Sequence, residues 1–166
     1  MSNNCPDQDG KDLVVSAYVK LIRTAESLHA EVSRGLLVEG LTASQFSTLK
    51  VLRLHGPLAQ RDIAKFLLKT GGNVTIVVDN LERQGLVKRT RDIEDRRFVY
   101  VDLTPDGNQL FDKLYRPHLD RIRNAMGGIS AGQVDLLIQL LEALSPTAEE
   151  PACADPSAVV RESTAI

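Results

Sequence analysis

Residues 60–103 read QRDIAKFLLKTGGNVTIVVDNLERQGLVKRTRDIEDRRFVYVDL, and the fold turns on how they are parsed. Ile63, Ala64 and Leu67 recur at helical spacing, which predicts a short helix from about Gln60 to Leu68. The Lys69-Thr70 turn leads into Gly71 to Gln84, whose middle, Val74 to Val78, is mostly β-branched and has strand propensity. Periodicity overrules propensity here. Val74, Val77, Val78 and Leu81 fall at i, i+3, i+4 and i+7 on one helical face, and Gly85 suits a helix C-terminus. Leu86 to Arg91 and Arg97 to Leu103 then alternate as paired strands, with Val99, Val101 and Leu103 on one face and Phe98, Tyr100 and Asp102 on the other. Their connecting turn, DIEDRR, is too charged for a core. Two short helices followed by a basic-tipped hairpin predict a winged helix-turn-helix, which presents a helix and a hairpin to nucleic acid.

Upstream, residues 1–11 are polar, contain Pro6 and Gly10, and read as a flexible lead-in. From Leu13, apolar residues recur at helical spacing through Tyr18, Leu21, Ile22, Ala25, Leu28, Val32 and Leu36, up to the Gly35 to Gly40 stretch. So long a stripe exceeds what one or two neighbours would cover and predicts packing against a second chain. Thr42-Ala43-Ser44-Gln45 has the spacing of a capping box, with Leu41 stapling onto Phe46, and starts a helix from about Ala43 to His55. Phe46, Leu49, Leu52 and Val51 are its inward residues, and Gly56-Pro57 stops it.

Downstream, Thr104 caps and Pro105 opens a helix to about Met126, with Leu110, Leu114, Ile122 and Met126 apolar and Pro117 bending it. Ser130 to Gln133 forms a second capping box, and a last helix from about Ala131 to Leu144 carries the stripe Val134, Leu137, Ile138, Leu141 and Leu144. Residues 146–166 are rich in Pro, Ala and Glu and read as a disordered tail. The expected fold is mainly α with a small β-hairpin wing. A winged helix-turn-helix at 41–103 is flanked by dimerisation helices at 12–40 and 104–145.

Charge is uneven along the chain. Between Lys50 and Tyr100 there are eleven basic and six acidic residues, a net of +5, so the remainder carries −7 within an overall −2. A basic middle with acidic flanks suits a DNA-binding module attached to a different functional surface. Cys5 and Cys153 lie in polar segments outside any CxxC or Cys/His cluster, which argues against a disulfide framework or zinc site. The first residues lack the basic start and apolar run of a signal peptide, and no apolar stretch approaches the roughly 20 residues that span a bilayer. The expectation is a cytoplasmic protein without a membrane partner.

With LTASQF, GPLAQRDIAKFL, NVTIVVDNLERQGLVKR, DIEDRR and VDLTPDG in register, the chain resembles the MarR family of bacterial transcriptional regulators from about Leu13 to Leu144. The most specific part is Val74 to Gly107, a helix ending in LERQGLV, a D-x-x-D-x-R wing and a strand entering LTPDG. The resemblance implies a homodimer with interdigitating terminal helices. It also implies binding to pseudo-palindromic operators in double-stranded DNA and, usually, release by a small-molecule effector or an oxidant. Family members with a peroxide-sensing cysteine carry it in the first helix, near Ala17 here, whereas Cys5 lies well upstream. Ile76 and Asn80 stand where many members carry arginine, and Ala59 where a capping Ser or Thr is frequent.

The helix from Gly71 to Gln84 is expected in the major groove, N-terminal residues nearest the bases. Asn73 can pair with adenine, or simply cap the helix; Thr75 can meet a thymine methyl or a phosphate. Gly71 and Gly72 have no side chains to hold the backbone away from a phosphate at the helix N-terminus, and Thr70 before them is a further DNA-binding candidate. Lys65, Lys69, Lys88, Arg89 and Arg91 are expected to hold phosphates. Arg96 or Arg97, at the hairpin tip, can enter a narrow minor groove. The resemblance implies that Asp95 helps Arg97 hold the wing.

An effector pocket in this architecture would lie between the dimer helices and the winged module, with Tyr18, Arg23, His29, Phe46, Tyr115 and His118 as candidate lining groups. His29, His55 and His118 are too dispersed for a metal site, and no cofactor is expected. The sequence lacks GxGxxG, GxxxxGK[ST] and HExxH, so an enzyme is not indicated. The alternative reading is a winged-helix protein-interaction module without specific DNA binding, motivated by Ile76 and Asn80.

Overall fold

The computed structural model describes residues 12–91 and 99–144. The sequence-predicted lead-in, the tail from 146 onwards, Cys5, Cys153 and the wing-tip residues Asp95, Arg96 and Arg97 lie outside the described residues. Within them the order is α1 (Leu13–Val38), α2 (Ala43–His55), β1 (Leu58–Ala59), α3 (Gln60–Phe66), α4 (Gly71–Arg83), β2 (Val87–Arg91), β3 (Val99–Leu103), α5 (Pro105–Ala125) and α6 (Ala131–Leu144). None of the described helices is long and apolar enough to cross a membrane.

Local chemistry accounts for most boundaries. Asp12 caps α1 by accepting from the Val14 and Val15 N–H groups. The capping box of α2 is formed: Thr42 N–H donates to Gln45 Oε1 at 2.8 Å, and Gln45 N–H donates to Thr42 Oγ1 at 3.2 Å. At α6, Ser130 N–H donates to Gln133 Oε1 at 2.8 Å and the reciprocal bond is 3.4 Å. Helices α1 and α4 end alike. Gly40 and Gly85 take φ values of +81° and +72°, and the next N–H groups, of Leu41 and Leu86, reach back to the carbonyls of Leu36 and Leu81. All four leucines are buried, so each helix stop also closes a hydrophobic contact.

The β-branched stretch is helical. Val74, Val78 and Leu81 are buried, with Val77 packed against the same core. That core gathers Phe46, Leu49 and Leu52 of α2, Ile63 of α3, Val87 and Val101 of the sheet, and Phe111 and Leu114 of α5. Phe111, absent from the sequence-predicted core, is 1% exposed and stacks on Phe46 with ring centroids 5.4 Å apart.

The expected hairpin is part of a three-stranded antiparallel sheet in the order β1-β3-β2. Leu58 pairs with Val101 and Ala59 with Tyr100, while Val87 to Arg91 pair with Leu103 to Val99. A two-residue strand carries no readable alternation, so only its pairing with β3 defines it. Ala59 offers no side-chain cap to α3; the backbone pairing to Tyr100 anchors that helix start instead.

The sheet joins α5 through one junction. Thr104 Oγ1 donates to the Gly85 carbonyl at 2.6 Å and accepts from Gly107 N–H at 3.0 Å, while Thr104 N–H donates to the Leu86 carbonyl at 3.1 Å. Gly107 lies directly over Leu86, where a Cβ would sit 2.0 Å from its carbonyl oxygen. The GL of LERQGLV and the TPDG of LTPDG thus hold the C-terminus of α4 against the N-terminus of α5.

Apolar surface remains uncovered at both ends of the fold. Helix α6 buries no residue, leaving Leu136, Ile138, Leu140, Leu141 and Leu144 exposed, and Leu13, Val14, Tyr18, Val19, Leu21 and Ile22 of α1 are exposed too.

Candidate nucleic-acid interface

Helices α3 and α4 are joined by a turn whose Leu68 adopts φ +49° and is 90% exposed. Lys69 N–H donates to the Ala64 carbonyl at 3.0 Å, closing the turn onto α3. This places Thr70 at the N-cap of α4 with no side-chain cap bond, and no acidic residue in the first turn. Gly71, Gly72 and Asn73 are exposed there. The first N–H groups of a helix lack intrahelical acceptors and carry a partial positive charge, so this end is chemically suited to an anion. Asn73 lies inside the helix; the capping alternative considered from sequence does not hold, because the chain enters the helix three residues earlier, at Thr70. Thr75 is exposed, and its hydroxyl donates to the Gly71 carbonyl at 3.0 Å.

The expected phosphate-binding cations divide into two groups. Lys65, Lys69, Lys88 and Arg91 are exposed. Lys65 lies 3.3 Å from Asp62 and Lys88 3.8 Å from Asp102, surface pairs that water screens and a phosphate can compete with. Arg89 differs. Its guanidinium pairs with Glu82 and, at 2.5 Å, with Asp79, both on α4, and its N–H donates to Glu82 Oε1 at 3.2 Å. Partial burial would lower its pKa, but the hydrogen bonds and charges of the two carboxylates outweigh that and raise it. Arg89 therefore ties β2 to α4 and neutralises two carboxylates of that helix.

Arg83 escaped the sequence reading. It lies on the outer ridge of α4 and donates to Asn80 Oδ1. Its spacing of seven from Ile76 was the available signal, since both fall on the face opposite Val74 and Val78.

Of the six effector-pocket candidates, three meet. His29, Phe46 and His118 line a cleft of about 350 Å³ between α1, α2 and α5, with Leu28, Val32 and Met126 among the apolar walls. The Phe46 and His118 rings are 4.5 Å apart. Burial lowers the His118 pKa, helped by the positive charges of Arg121 and Lys50 and by His29, and its buried Nδ1 has no hydrogen-bond partner. Tyr18, Arg23 and Tyr115 are not part of this lining. Tyr18 and Arg23 are exposed on α1, where no other described residue brings them inward, and Tyr115 turns against Phe111 at 5.2 Å. A second cleft, of about 330 Å³, shares His29, Ala43 and Ser47 with the first and reaches Asn73, Ile76 and Val77 of α4. Among the described residues no group of three His, Cys, Asp or Glu side chains could hold a metal ion.

These features match known proteins. Residues 39–97 fit the family model described as the MarR family. The chain is 35% identical to the HTH-type transcriptional regulator YkoM of Bacillus subtilis over 82% of its own length and 88% of that protein. Among solved structures, it is 28% identical to BpsR of Bordetella bronchiseptica, whose DNA binding is regulated by 6-hydroxynicotinic acid, with a TM-score of 0.71 over 78% of this chain and 98% of that one. MepR of S. aureus, solved as a complex with DNA, is also 28% identical, with a TM-score of 0.70 over 78% and 97%. The winged helix-turn-helix, its capped junction to α5 and these similarities agree: the chain belongs to the MarR family of DNA-binding transcriptional regulators.

Proposed function

We propose that this protein is a homodimeric repressor that binds pseudo-palindromic operators through α4 and the wing, and is released by a small-molecule effector. The observation that carries the reading is the uncapped, acid-free N-terminus of α4, exposed at Gly71, Gly72 and Asn73 just after Lys69, with Lys65 exposed on the preceding helix. Lys88 and Arg91 on β2 extend the basic surface, and Asp95, Arg96 and Arg97 follow them in the sequence. The apolar faces left open on α1 and α6 support a second copy as the partner, since two such faces close on each other by symmetry. The cleft holding His29, Phe46 and His118 supports an effector site where α1, α2 and α5 meet, and the regulation of BpsR by 6-hydroxynicotinic acid supports small organic acids as a class to test.

The test is binding to duplexes selected from genomic DNA, measured across salt concentrations. A steep fall of affinity with salt, weakened by Arg97→Ala, is the expected result. Absence of binding at low salt would favour the interaction-module reading. Added 6-hydroxynicotinic acid and related aromatic acids then test release, and deletion of the gene, with transcription of the bound loci followed, tests repression.

A further inference from the structure

The outer face of α4 has an unusual chemical character. Ile76 is 62% exposed, and at about 100° per residue it projects away from Val74, Val78 and Leu81, the residues that hold the helix to the core. One turn earlier on the same ridge is Gly72, whose surroundings are open, and two turns later is Arg83. The polar neighbours are already engaged. Arg83 donates to Asn80 Oδ1, Asp79 and Glu82 are paired with Arg89, and the Thr75 hydroxyl donates into its own helix at Gly71. What the first two turns offer outward is an isoleucine side chain, with the Asn73 amide beside it.

We propose that Ile76 is a sequence-determining residue of this regulator, reading the C5-methyl group of thymine in the major groove. This inference rests on the DNA-binding reading above. The thymine methyl is the one apolar group that base pairs display on the major-groove edge, so an uncharged branched side chain at this depth discriminates thymine from cytosine by contact alone. Ile76 is five residues into α4, about 7.5 Å along its axis, within reach of bases when the N-terminal turns enter the groove. No charge on this ridge opposes that approach, because the two carboxylates of the helix are held by Arg89. An arginine at the same place would instead pair with guanine O6 and N7. The half-site of this protein accordingly carries thymine where an arginine-bearing helix would select guanine.

The experiment replaces each thymine of a selected operator, one at a time, by uracil, which removes the methyl group and leaves base pairing intact. Wild-type protein is expected to lose about fourfold in affinity at the contacted thymine, the effect of one buried methyl group. Ile76→Ala should bind the thymine and uracil duplexes equally, with thermal stability unchanged. Ile76→Arg should move selection toward guanine at that position. Equal affinity of the wild type for every uracil duplex, or the same uracil penalty in Ile76→Ala, overturns the role of Ile76 while leaving DNA binding intact. Loss of small-molecule release in Ile76→Ala without any change in base preference also overturns it, assigning the residue to the cleft beside α4. Failure to select any duplex overturns the DNA-binding reading itself and this inference with it.

Discussion

Arg89 on β2 and Glu82 on α4 are joined twice, through the Arg89 backbone N–H and through its guanidinium, which also reaches Asp79 one turn earlier on the helix. The strand leading into the wing is therefore tied to α4, the helix proposed to enter the major groove, and its orientation is set by a side chain that is 25% exposed. Arg89→Ala is expected to cost about 1 kcal/mol of stability, because all three partners are partly exposed and solvent screens the pair. DNA affinity should fall while the slope of log affinity against log salt stays as in the wild type, since the Arg89 guanidinium is already paired with Asp79 and Glu82. Lys69→Ala and Arg91→Ala, by contrast, should each reduce that slope by about 1. Salt titrations of the three variants check the division; a reduced slope for Arg89→Ala would return it to the phosphate-binding group.

Gly107 packs its α-carbon against the Leu86 carbonyl, with no room for a methyl group. Gly107→Ala must push α5 away from the end of α4, breaking the Thr104 bonds to Gly85 and Leu86. A loss of about 2–3 kcal/mol in urea denaturation is expected, of the size seen when a packed site is overfilled. Retention of full stability would mean that the junction is more yielding than its geometry.

Leu68 holds a left-handed conformation at φ +49° with its side chain in water. That conformation costs a non-glycine residue about 1–2 kcal/mol. Leu68→Gly relieves it but adds unfolded-chain freedom worth about 0.4–1 kcal/mol, so a net gain near 0.5 kcal/mol is expected in the urea midpoint. A less stable variant would reveal packing by the Leu68 side chain.

His118 is held below its ordinary pKa by burial, with Arg121, Lys50 and His29 adding repulsion to its charged form. The folded protein therefore binds fewer protons at this site than the unfolded chain. Its contribution to stability is full above the unfolded value of about 6.5 and is lost as pH falls through the folded value. Melting temperature should drop more steeply from pH 7 to pH 5 in the wild type than in His118→Gln. Parallel curves for the two proteins would assign the acid sensitivity elsewhere.

Leu141 lies on the open stripe of α6. If that stripe and the exposed start of α1 meet their counterparts in a second copy, Leu141→Asp should convert dimers to monomers in light scattering at micromolar concentration. An unchanged mass would place the partner surface on another face.

The sequence by itself determined those features whose causes are local. Helical period in Val74, Val78 and Leu81 outweighed β-branched propensity because one buried face needs only spacing, and the capping boxes at Thr42 and Ser130 each close within four residues. Glycine at 85 stops α4 by its positive φ, which is also a property of one residue. Features created by distant partners were decided by the tertiary structure alone. Strand β1 exists because β3, with Tyr100 and Val101, passes beside it, and no two-residue alternation could announce that. Phe111 becomes central because α5 crosses α2 at Phe46. His29, Phe46 and His118 share a cleft because three helices converge, while Tyr18 and Arg23 stay exposed on an uncovered stretch of α1. Arg89 reads along the chain as one more phosphate-binding cation, and folding makes it a clamp, since only the packing of β2 beside α4 brings two carboxylates within reach of its guanidinium.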